Sequence, residues 1–467
     1  MLVEISPKEN FCYSSDMKDF KNYFAGKKIT VMGLGLLGRG IGDVVFLAEA
    51  GAELIVTDQK TAEQLAPALE QLASYPDITF VLGEHREEDF QNRDYILVAP
   101  SVPLHSPYLQ TALDAGVPLK QSAAWFAELS GVPIVGVTGT RGKSTVTHMI
   151  HHVLSLVTGE SVLLGGNIRG VSNLQLLAQV ADDSLCVMEL DSWQLQGWGW
   201  SELSPQVAVF TNFMSDHLNY YMQGDKTEME AMDLYFQDKA NIFRFQEESG
   251  VFVTTPDVFM RAKELRGVTL GQEVVLADAS IIPEEALLTM PGEHNRLNAA
   301  LAVEALKALS LTEEEIFEAL AAFPGVEGRL QYLGEIDGVK VYNDNNSTTP
   351  AATIAGLQAV GNTDQSNIIL IAGGAYKNVD PKPLVDEIPL YCKKVVLLPG
   401  TGTDMIAEQI ESELAASMEE AVKQAIAAGA AGDVLLFSPG FASFGIFKNE
   451  YERNDTFVRE ITVLSQQ

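Results

Sequence analysis

The segment Gly136–Thr145 (GVTGTRGKST) has the residue types and spacing of a phosphate-binding loop. Its glycines allow main-chain N–H groups to converge on a phosphate, Lys143 can neutralise phosphate oxygens, and the Ser144 hydroxyl can reach Mg²⁺. A strict Walker A motif has glycine where Val137 stands, and Gly136 comes one residue early. The GKST ending between a strand and a helix favours phosphate binding over a loop without a ligand.

A second glycine motif, Gly33–Gly38 (GLGLLG), follows an apolar run and fits the GxGxxG pattern of dinucleotide folds. Asp58 follows it by about 20 residues, which is the spacing of the acidic residue that binds a ribose in such folds. The alternative is a tight turn between a strand and a helix that holds no ligand. The motif alone is therefore weak evidence for nucleotide binding.

Acidic residues follow two further apolar runs that we interpret as strands. Glu189 comes after Leu185–Met188, and Asp216 and His217 come after Val207–Thr211. Ligands of open α/β sheets bind at the carboxyl ends of the strands, and carboxylate oxygens suit Mg²⁺. Read alone, the acid could be a helix cap and the histidine an ordinary loop residue. The phosphate loop shifts the interpretation towards a magnesium site.

The elements that would position these residues can be predicted from the apolar pattern. Short β-branched runs alternate with helix-forming segments along almost the whole chain, which predicts an α/β fold with parallel sheets. The predicted strands are Ile29–Met32, Leu54–Thr57, Ile96–Val98, Ile134–Val137, Val207–Thr211, Ile368–Ala372, Val395–Leu398 and Val434–Phe437. The predicted helices include Thr147–Leu156, Ala299–Leu309 and Glu313–Ala322.

This pattern restarts twice along the chain, after Gly131-Val132-Pro133 and after Pro324-Gly325. At roughly 150 residues per domain, a chain of 467 residues is expected to form three domains. We therefore expect domains at 1–130, 131–325 and 326–467.

The chain is strongly acidic: 31 Lys and Arg against 63 Asp and Glu give a formal net charge of −32. This charge repels nucleic acid and anionic membrane surfaces, so we expect neither as a partner. A polyanionic substrate must then be held by local amides, Lys143 and divalent cations, which implies magnesium. The 46% hydrophobic and 20% charged fractions are those of a globular protein and favour catalysis or small-molecule binding.

Three features of the sequence predict a cytoplasmic protein. No apolar run reaches the roughly 20 residues of a membrane-spanning helix. The start, MLVEISPKENF, lacks the basic and apolar regions of a secretory signal. The three cysteines, Cys12, Cys186 and Cys392, are too far apart in sequence for a disulfide framework or a CxxC metal pair.

Ordered motifs from the phosphate loop to the C-terminus add a pattern that is much more specific than one glycine loop. They are TGTRGKST from Thr138, GGN from Gly165, ELDSWQL from Glu189, TNFMSDHLNYY from Thr211, DKANIF around Lys239, MPGEHNRLNAA from Met290, GRLQ from Gly328, YNDNNSTTPAAT from Tyr342 and SPGFASFGIFKN from Ser438. Together they resemble the Mur ligase family, and the resemblance extends from about the first glycine loop to the C-terminus.

The resemblance implies a fold and an activity. The fold would have a Rossmann-like N-terminal domain for a UDP group, a central P-loop ATPase domain with a mostly parallel sheet, and a C-terminal Rossmann-like domain for an amino acid. The activity would be ATP-dependent addition of D-glutamate to UDP-N-acetylmuramoyl-L-alanine through an acyl phosphate, in cytoplasmic peptidoglycan precursor synthesis. We expect the protein to act as a monomer.

The resemblance also implies site residues, each by its position in a matching motif. The UDP substrate would contact Gly35, Leu36, Leu37, Asp58 and Asn167. ATP would contact Gly139, Thr140, Gly142, Lys143, Ser144, Thr145, Asn295, Arg329 and Asp344. The catalytic residues would be Lys143, Glu189, His217 and Lys239, and two Mg²⁺ ions would be held by Ser144, Glu189, His217 and Lys239. The amino acid would contact Thr348, Lys377, Ser443 and Phe444.

Lys239 resembles the lysine that the family carbamylates with CO₂. An ammonium group cannot bind Mg²⁺, whereas a carbamate offers two anionic oxygens. As a bare sequence feature, Lys239 is one lysine in a helix, and the alternative is a solvated salt bridge. The loop Met222–Met229 before it is longer than the family pattern leads us to expect.

The chain departs from the family in the run Asn343–Thr349 (NDNNSTT), where NDSKATN is usual. Asn346 stands in place of a lysine that faces the glutamate. A charge-assisted hydrogen bond to a carboxylate is about twice as strong as a neutral one, so Asn346 would hold the glutamate less tightly than the usual lysine. L-glutamate or another acidic amino acid remains open as the substrate.

Other classes of function remain as alternatives. A folylpolyglutamate synthase-like ligase shares the ATPase core, but the GxGxxG unit ahead of the phosphate loop argues against it. A non-catalytic nucleotide-binding regulator would bind ATP without releasing phosphate in response to an amino acid. A dehydrogenase would bind a nicotinamide cofactor, and the second nucleotide loop argues against that.

Overall fold

The computed structural model describes residues 20–35, 38–100, 102–159, 161–216, 218–222, 224–283, 286, 290–444 and 446–465. Three of the predicted site residues, Leu36, Leu37 and His217, lie outside the described residues. The chain divides into two compact units, one of Met1–Asp278 with Ala300–Ile316 and one of Ala279–Ala299 with Phe317–Gln467.

The first unit contains two sheets, the first of which has five parallel strands in the order β3-β2-β1-β4-β5. Its strands are β1 (Lys28–Met32), β2 (Glu53–Asp58), β3 (Thr79–Leu82), β4 (Tyr95–Val98) and β5 (Leu119–Lys120). Its helices are α1 (Phe20–Phe24), α2 (Arg39–Glu49), α3 (Ala66–Leu72), α4 (Pro107–Asp114) and α5 (Ser122–Ser130), with a 3₁₀ turn at Glu87–Phe90. Because β1 has β2 on one side and β4 on the other, the glycine motif after β1 lies at a topological switch point, where α/β folds bind ligands.

The second sheet of this unit has six parallel strands in the order β11-β10-β9-β6-β8-β7. Its strands are β6 (Ile134–Thr138), β7 (Val162–Gly166), β8 (Leu185–Glu189), β9 (Val207–Phe210), β10 (Val251–Thr254) and β11 (Glu273–Leu276). Its helices are α6 (Lys143–Val157), α7 (Ser192–Trp200), α8 (Leu218–Tyr221), α9 (Glu228–Arg244) and α10 (Pro256–Lys263), with a 3₁₀ turn at Gln175–Gln179. Here β6 is the switch strand, and the phosphate loop follows it.

The third sheet, in the second unit, has six strands in the order β12-β13-β17-β14-β15-β16. Its strands are β12 (Gln331–Ile336), β13 (Val339–Asn343), β14 (Ile368–Gly373), β15 (Cys392–Leu398), β16 (Glu413–Leu414) and β17 (Val434–Phe437). Helices α11 (Glu293–Ala308) and α12 (Glu313–Ala321) each have residues in both units. The other helices of the second unit are α13 (Pro350–Val360), α14 (Lys382–Tyr391), α15 (Thr403–Ile406), α16 (Met418–Ala427) and α17 (Glu450–Ser465), and a 3₁₀ turn covers Ala279–Ile281. The pairing of β12 with β13 is antiparallel and the other pairs are parallel.

The predicted α/β fold with mainly parallel sheets is confirmed, and each predicted strand is present. The ends of some elements differ from the predicted ones because local backbone geometry determines them. The helix predicted from Thr147 begins at Lys143, immediately after Gly142, whose φ of 80° ends the loop in a conformation that favours glycine.

The strands that carry the central site are fully buried. Every residue of β6 and β8 is buried, as expected for parallel strands with helices on both faces. The polar residues at the ends of these strands are therefore held by a close-packed core. Within the part of the chain that the structure describes, every helix is too short or too polar to cross a bilayer.

Candidate active site

The phosphate loop between β6 and α6 lies against the end of β9. Gly139 has a φ of 146°, and a Cβ at this position would be 1.9 Å from Thr211 Oγ1, so no larger residue fits. Thr140 N donates to Asn212 O at 2.9 Å, and Arg141 N donates to Asn212 Oδ1 at 2.9 Å. The loop is held in one shape by the segment that follows the neighbouring strand.

Thr140 is fixed by its hydroxyl as well as by its main chain. Oγ1 donates to Met214 O at 3.2 Å and accepts from Met214 N at 3.0 Å. Ser144 and Thr145 are buried in the first turn of α6. The helix N-terminus and the glycine loop together form the arrangement that binds phosphate in P-loop proteins.

Two lysine side chains converge on one carbonyl of this loop. Lys143 Nζ donates to Gly139 O at 3.0 Å and to Thr140 O at 3.2 Å. Lys239 Nζ, from the middle of α9, donates to the same Gly139 O at 2.8 Å and to Thr138 Oγ1 at 3.3 Å. Residues that are far apart in sequence thus meet at the phosphate loop.

Lys239 is buried, with 1% of its surface exposed. Burial, and after it the positive charge of Lys143, lowers the pKa of Lys239 well below its usual value. The acidic residues Asp191, Asp216 and Glu189 act in the opposite direction. The helix therefore presents an amine that loses its proton readily, which excludes the solvated salt bridge considered from the sequence.

Glu189 ends β8 as a buried carboxylate beside Asn167. Asn167 N donates to Glu189 O at 2.7 Å, and Asn167 Nδ2 donates to Glu189 Oε1 at 3.3 Å. Gly166 has a φ of 83°, and a Cβ there would be 2.0 Å from Glu189 O. This close approach explains the GGN motif, because only glycine allows the end of β7 to lie against the end of β8.

These groups fit a divalent cation. Glu189 supplies a hard carboxylate, Ser144 a hydroxyl, and Lys239 an amine that can become an anionic carbamate. Among the described residues no cluster of three or more His, Cys, Asp or Glu side chains forms a metal site. His217 lies outside the described residues, so its part in the site stays a prediction.

The first glycine motif encloses a carboxylate. Asp58, at the end of β2, accepts from Leu34 N at 3.0 Å and from Gly35 N at 3.3 Å through Oδ2, and from Lys60 N at 2.9 Å through Oδ1. Asp58 is buried. The structure therefore shows that Asp58 shapes the loop, a role that spacing alone did not indicate, and its contact with UDP stays a prediction.

In the second unit, Asp344 at the end of β13 is a buried carboxylate. It accepts from Leu330 N at 3.1 Å through Oδ1 and from Ser438 Oγ at 2.8 Å through Oδ2. Burial raises its pKa to about 6, against the effect of hydrogen bonds from Ser347 and Ser438 and of the nearby Arg329 charge. Arg329 and Asp344, both predicted to contact ATP, are close enough for the charge of one to affect the pKa of the other.

Asn295 lies in the first turn of α11, where its amide is buried. Nδ2 donates to Pro291 O at 2.9 Å, and Oδ1 accepts from Asn298 Nδ2 at 3.1 Å. These bonds hold the start of the helix, and the predicted adenine contact of Asn295 stays a prediction.

Three of the residues predicted to bind the amino acid follow adjacent strands of the third sheet. Thr348 follows β13, Lys377 follows β14, and Ser443 follows β17. Lys377 Nζ donates to Thr348 Oγ1 at 2.9 Å, and Ala375 and Ala442 exchange main-chain hydrogen bonds of 2.9 and 3.0 Å.

The loops after β13, β14 and β17 thus form one cluster, which we call the amino-acid cluster, and the buried Ser443 is part of it. The fourth predicted residue, Phe444, is 61% exposed.

Three Mur ligase domain families match successive parts of the chain. The MurD-like N-terminal domain matches residues 27–120, the Mur ligase middle domain matches 137–260, and the glutamate ligase domain matches 328–441. The UDP-N-acetylmuramoylalanine--D-glutamate ligase of Roseiflexus sp. (strain RS-1) is 34% identical over 472 residues, covering 93% of this chain and 98% of that protein. The chain belongs to the Mur ligase family.

Other Mur ligases support the same assignment. A ligase of the same name from Pseudomonas fluorescens (strain Pf-5) is 32% identical over 460 residues, covering 93% of this chain and 98% of that protein. The crystal structure of UDP-N-acetylmuramate-alanine ligase MurC from Thermotoga maritima has a TM-score of 0.58 at 19% identity and covers 94% of this chain and 100% of that chain. That similarity shows the three-domain Mur ligase fold.

Arg453 is a residue that the Mur ligase motifs did not single out. It lies in α17, is 1% exposed, and donates to Asn345 Oδ1 and Asn345 O at 2.8 Å and to Phe441 O at 3.1 Å. Burial lowers its pKa to about 10. Its guanidinium joins the loop after β13 to the loop after β17, which are two of the three loops of the amino-acid cluster.

Asn346, the departure from the family pattern, uses its amide within the protein. Nδ2 donates to Glu327 O at 3.2 Å, Oδ1 accepts from Asn345 Nδ2 at 3.2 Å, and the main-chain N donates to Gly328 O at 2.9 Å. The asparagine therefore links the loop after β13 to the segment before β12.

Proposed function

We propose that the chain is an ATP-dependent ligase that joins D-glutamate to UDP-N-acetylmuramoyl-L-alanine in peptidoglycan precursor synthesis. Relatives that are up to 34% identical over most of the chain carry that name, which favours D-glutamate over the other acidic amino acids. The observation that carries the proposal is the convergence of Lys143 and the buried Lys239 on Gly139 O of the phosphate loop.

The phosphate loop would bind the ATP phosphates. The main-chain N–H groups of Gly142 to Thr145 at the N-terminus of α6 supply donors, and Lys143 supplies local positive charge in a molecule whose net charge is negative. Asn295, Arg329 and Asp344 are the proposed further contacts of the nucleotide.

Lys239 would become a metal ligand by reacting with CO₂. Its neutral amine attacks the carbon of CO₂, an N–C bond forms, and the amine loses a proton, which leaves a carbamate with two anionic oxygens. The carbamate, Ser144, Glu189 and His217 would hold Mg²⁺, which polarises phosphoryl oxygens when bound. The lowered pKa of Lys239 supports this step, because only the unprotonated amine is a nucleophile.

The reaction would have two steps. A carboxylate oxygen of the alanyl group attacks the γ-phosphorus, a P–O bond forms, and ADP leaves with the electrons of the bond that breaks. The amine of glutamate then attacks the acyl carbon, the C–O bond to phosphate breaks, and the amine loses its proton. Lys143 would stabilise the transferring phosphoryl group, and such transfers depend mainly on positioning and electrostatics.

The loop cluster of the third sheet would bind the incoming amino acid. Lys377 brings a positive charge for its carboxylates, with Thr348, Ser443 and Phe444 around it. The corresponding assignment of domains is 1–130 for the UDP group with Gly35, Leu36, Leu37, Asp58 and Asn167, 131–325 for ATP, and 326–467 for glutamate. The monomeric state and the cytoplasmic location stay predictions.

Phosphate release from Mg-ATP tests the proposal. With UDP-N-acetylmuramoyl-L-alanine present, we expect release with D-glutamate and not with L-glutamate or D-aspartate. Release with another amino acid would refute the proposed specificity and keep the ligase chemistry. ATP binding without release under any of these conditions would favour a nucleotide-binding regulator.

A further inference from the structure

Arg39 connects the first glycine motif to the central site. It lies in the first turn of α2, directly after Gly38, and its Nη1 donates to Asn167 Oδ1. The same amide donates through Nδ2 to Glu189 Oε1 at 3.3 Å. A chain of hydrogen bonds therefore extends from the glycine motif to the buried carboxylate at the end of β8.

The types of the three groups fix the direction of this chain. A guanidinium has only donors and an ionised carboxylate has only acceptors. The amide of Asn167 must then present its oxygen to Arg39 and its nitrogen to Glu189, because the flipped amide would place a donor against a donor and an acceptor against an acceptor. Arg39 therefore selects the amide orientation that supports Glu189.

The main chain around Asn167 is already held in place by other contacts. Asn167 N already donates to Glu189 O at 2.7 Å. The close approach of Gly166 to Glu189 O fixes the end of β7. What remains to be set is the side chain of Asn167, and that is the part that Arg39 contacts.

The helix that carries Arg39 is anchored one turn later on the loop that follows Asn167. Asp43 Oδ1 accepts from Ser172 Oγ at 2.6 Å and from Leu174 N at 3.2 Å. A Cβ at Gly42 would be 2.6 Å from the Cβ of Ser172, so the helix and the loop are in close contact. The position of Arg39 relative to Asn167 is thus well determined.

The positive charge of Arg39 is not committed to a salt bridge. In the described part of the chain, no carboxylate oxygen lies within ion-pair distance of its guanidinium, and its hydrogen bond goes to a neutral amide. A surface ion pair therefore does not explain this arginine.

We propose that Arg39 is a positioning residue that, through Asn167, holds Glu189 in the orientation that binds a divalent cation. The inference rests on the proposed function, in which Glu189 is a metal ligand. Groups that orient metal ligands typically contribute 10–100-fold to metal affinity, so we expect a loss of roughly tenfold when Arg39 is removed.

Equilibrium binding of Mn²⁺ to the full chain in the presence of ADP tests the inference, with free Mn²⁺ measured by electron paramagnetic resonance. Arg39→Met keeps the length of the side chain and removes its donors, so its Kd for Mn²⁺ should rise roughly tenfold. Arg39→Lys keeps a charged donor without the planar geometry of the guanidinium, and its Kd should fall between those of this variant and the wild type. Arg39→Gln, which is too short to reach Asn167, replaces Arg39→Met if that variant does not fold.

The matched control is Arg93→Met, in the segment before β4 of the first sheet. Arg93 Nη2 donates to Ile29 O at 3.0 Å and to Glu53 O at 2.9 Å, at the amino end of the strands, which is the end opposite the ligand edge. Loss of this structural arginine should lower the thermal midpoint and leave the Kd for Mn²⁺ unchanged. An equal rise in Kd for Arg93→Met would mean that general destabilisation explains the effect, and would overturn the inference.

A double-variant cycle shows whether Arg39 acts through Asn167. Arg39→Met should cause no further loss of Mn²⁺ affinity in the Asn167→Ala background, because the intermediate group is already absent. Additive losses, an unchanged Kd in Arg39→Met, or no Mn²⁺ binding by the wild type would each overturn the inference. Phosphate release by the wild type tests the proposed function separately. If the wild type binds Mn²⁺ but releases no phosphate, the proposed function is refuted and the inference about Arg39 stands.

Discussion

At the scale of single residues, Lys239 shows how position changes chemistry. In sequence it is one lysine in a helix, and its burial against the phosphate loop appears only when α9 packs beside β6. The lowered pKa follows from that burial and from Lys143, which resides on a different element.

Lys239→Ala removes the proposed carrier of the carbamate. We expect phosphate release with D-glutamate to fall on the order of 100-fold, because a metal ligand is lost, and added bicarbonate should not restore it. Lys263→Ala, which changes an exposed lysine in α10, is the matched control and should keep the wild-type rate. A rate for Lys239→Ala within about twofold of the control would contradict the metal role.

The sequence motifs identified the residues of the phosphate loop because glycine, lysine and serine at fixed spacing imply their own local geometry. They did not identify Arg453, Arg39 or the contact of Asp58 with its glycine loop. Those roles depend on contacts between segments that are distant in sequence, which one sequence without its fold does not contain.

At the scale of elements, α17 connects two loops through one side chain. Arg453→Met leaves Asn345 O and Phe441 O buried without their donor, and unsatisfied buried groups cost about 1–3 kcal/mol each. We expect the second unit to lose on the order of 3 kcal/mol in free energy of unfolding, measured by urea denaturation of the full chain.

Arg459→Met is the control on the same helix. Arg459 is exposed and pairs only with Glu460 among the described residues, so its loss should change stability by less than about 1 kcal/mol. Equal urea midpoints for the two variants would show that Arg453 does not hold the loops.

The contact between α2 and the loop after β7 should depend on pH. Burial raises the pKa of Asp43 to about 6 from 3.8, so between these values the folded protein holds a proton that the unfolded chain has lost. Its contribution to stability is therefore full below about pH 4 and is lost as the pH rises to about 6.

Asp43→Asn removes this titration and keeps an oxygen that accepts from Ser172 and Leu174. The variant should gain stability relative to the wild type across that pH range, on the order of 2–3 kcal/mol in total. Urea unfolding at several pH values measures the difference, and a constant difference from pH 4 to 7 would refute the assignment.

The elements themselves were largely predictable, because buried parallel strands appear as continuous apolar runs. The predicted strands omit β10 (Val251–Thr254) although it is a buried apolar run, and they also omit β7 (Val162–Gly166), which ends in two glycines, and β12 (Gln331–Ile336), which is only partly buried. A two-residue turn joins β12 to its antiparallel partner β13, and both turn residues, Asp337 and Gly338, have a positive φ.

At the scale of the whole molecule, the net charge of −32 opposes the approach of every proposed substrate, because each is anionic. Salt screens this long-range repulsion, whereas contacts in the buried loop are screened much less. We expect kcat/KM for UDP-N-acetylmuramoyl-L-alanine to rise as sodium chloride increases from about 20 to 200 mM at saturating Mg²⁺. A steep fall over this range would show that local positive charge dominates the encounter.

The central claim is that the molecule activates a carboxylate as an acyl phosphate and passes it to D-glutamate. The most direct test uses UDP-N-acetylmuramoyl-L-alanine labelled with ¹⁸O in the alanyl carboxylate, with Mg-ATP and D-glutamate, and mass spectrometry of both products. The account predicts one ¹⁸O in each released phosphate, one ¹⁸O retained in the amide, and a product heavier by one glutamyl residue. Release of unlabelled phosphate without the amide product would contradict it.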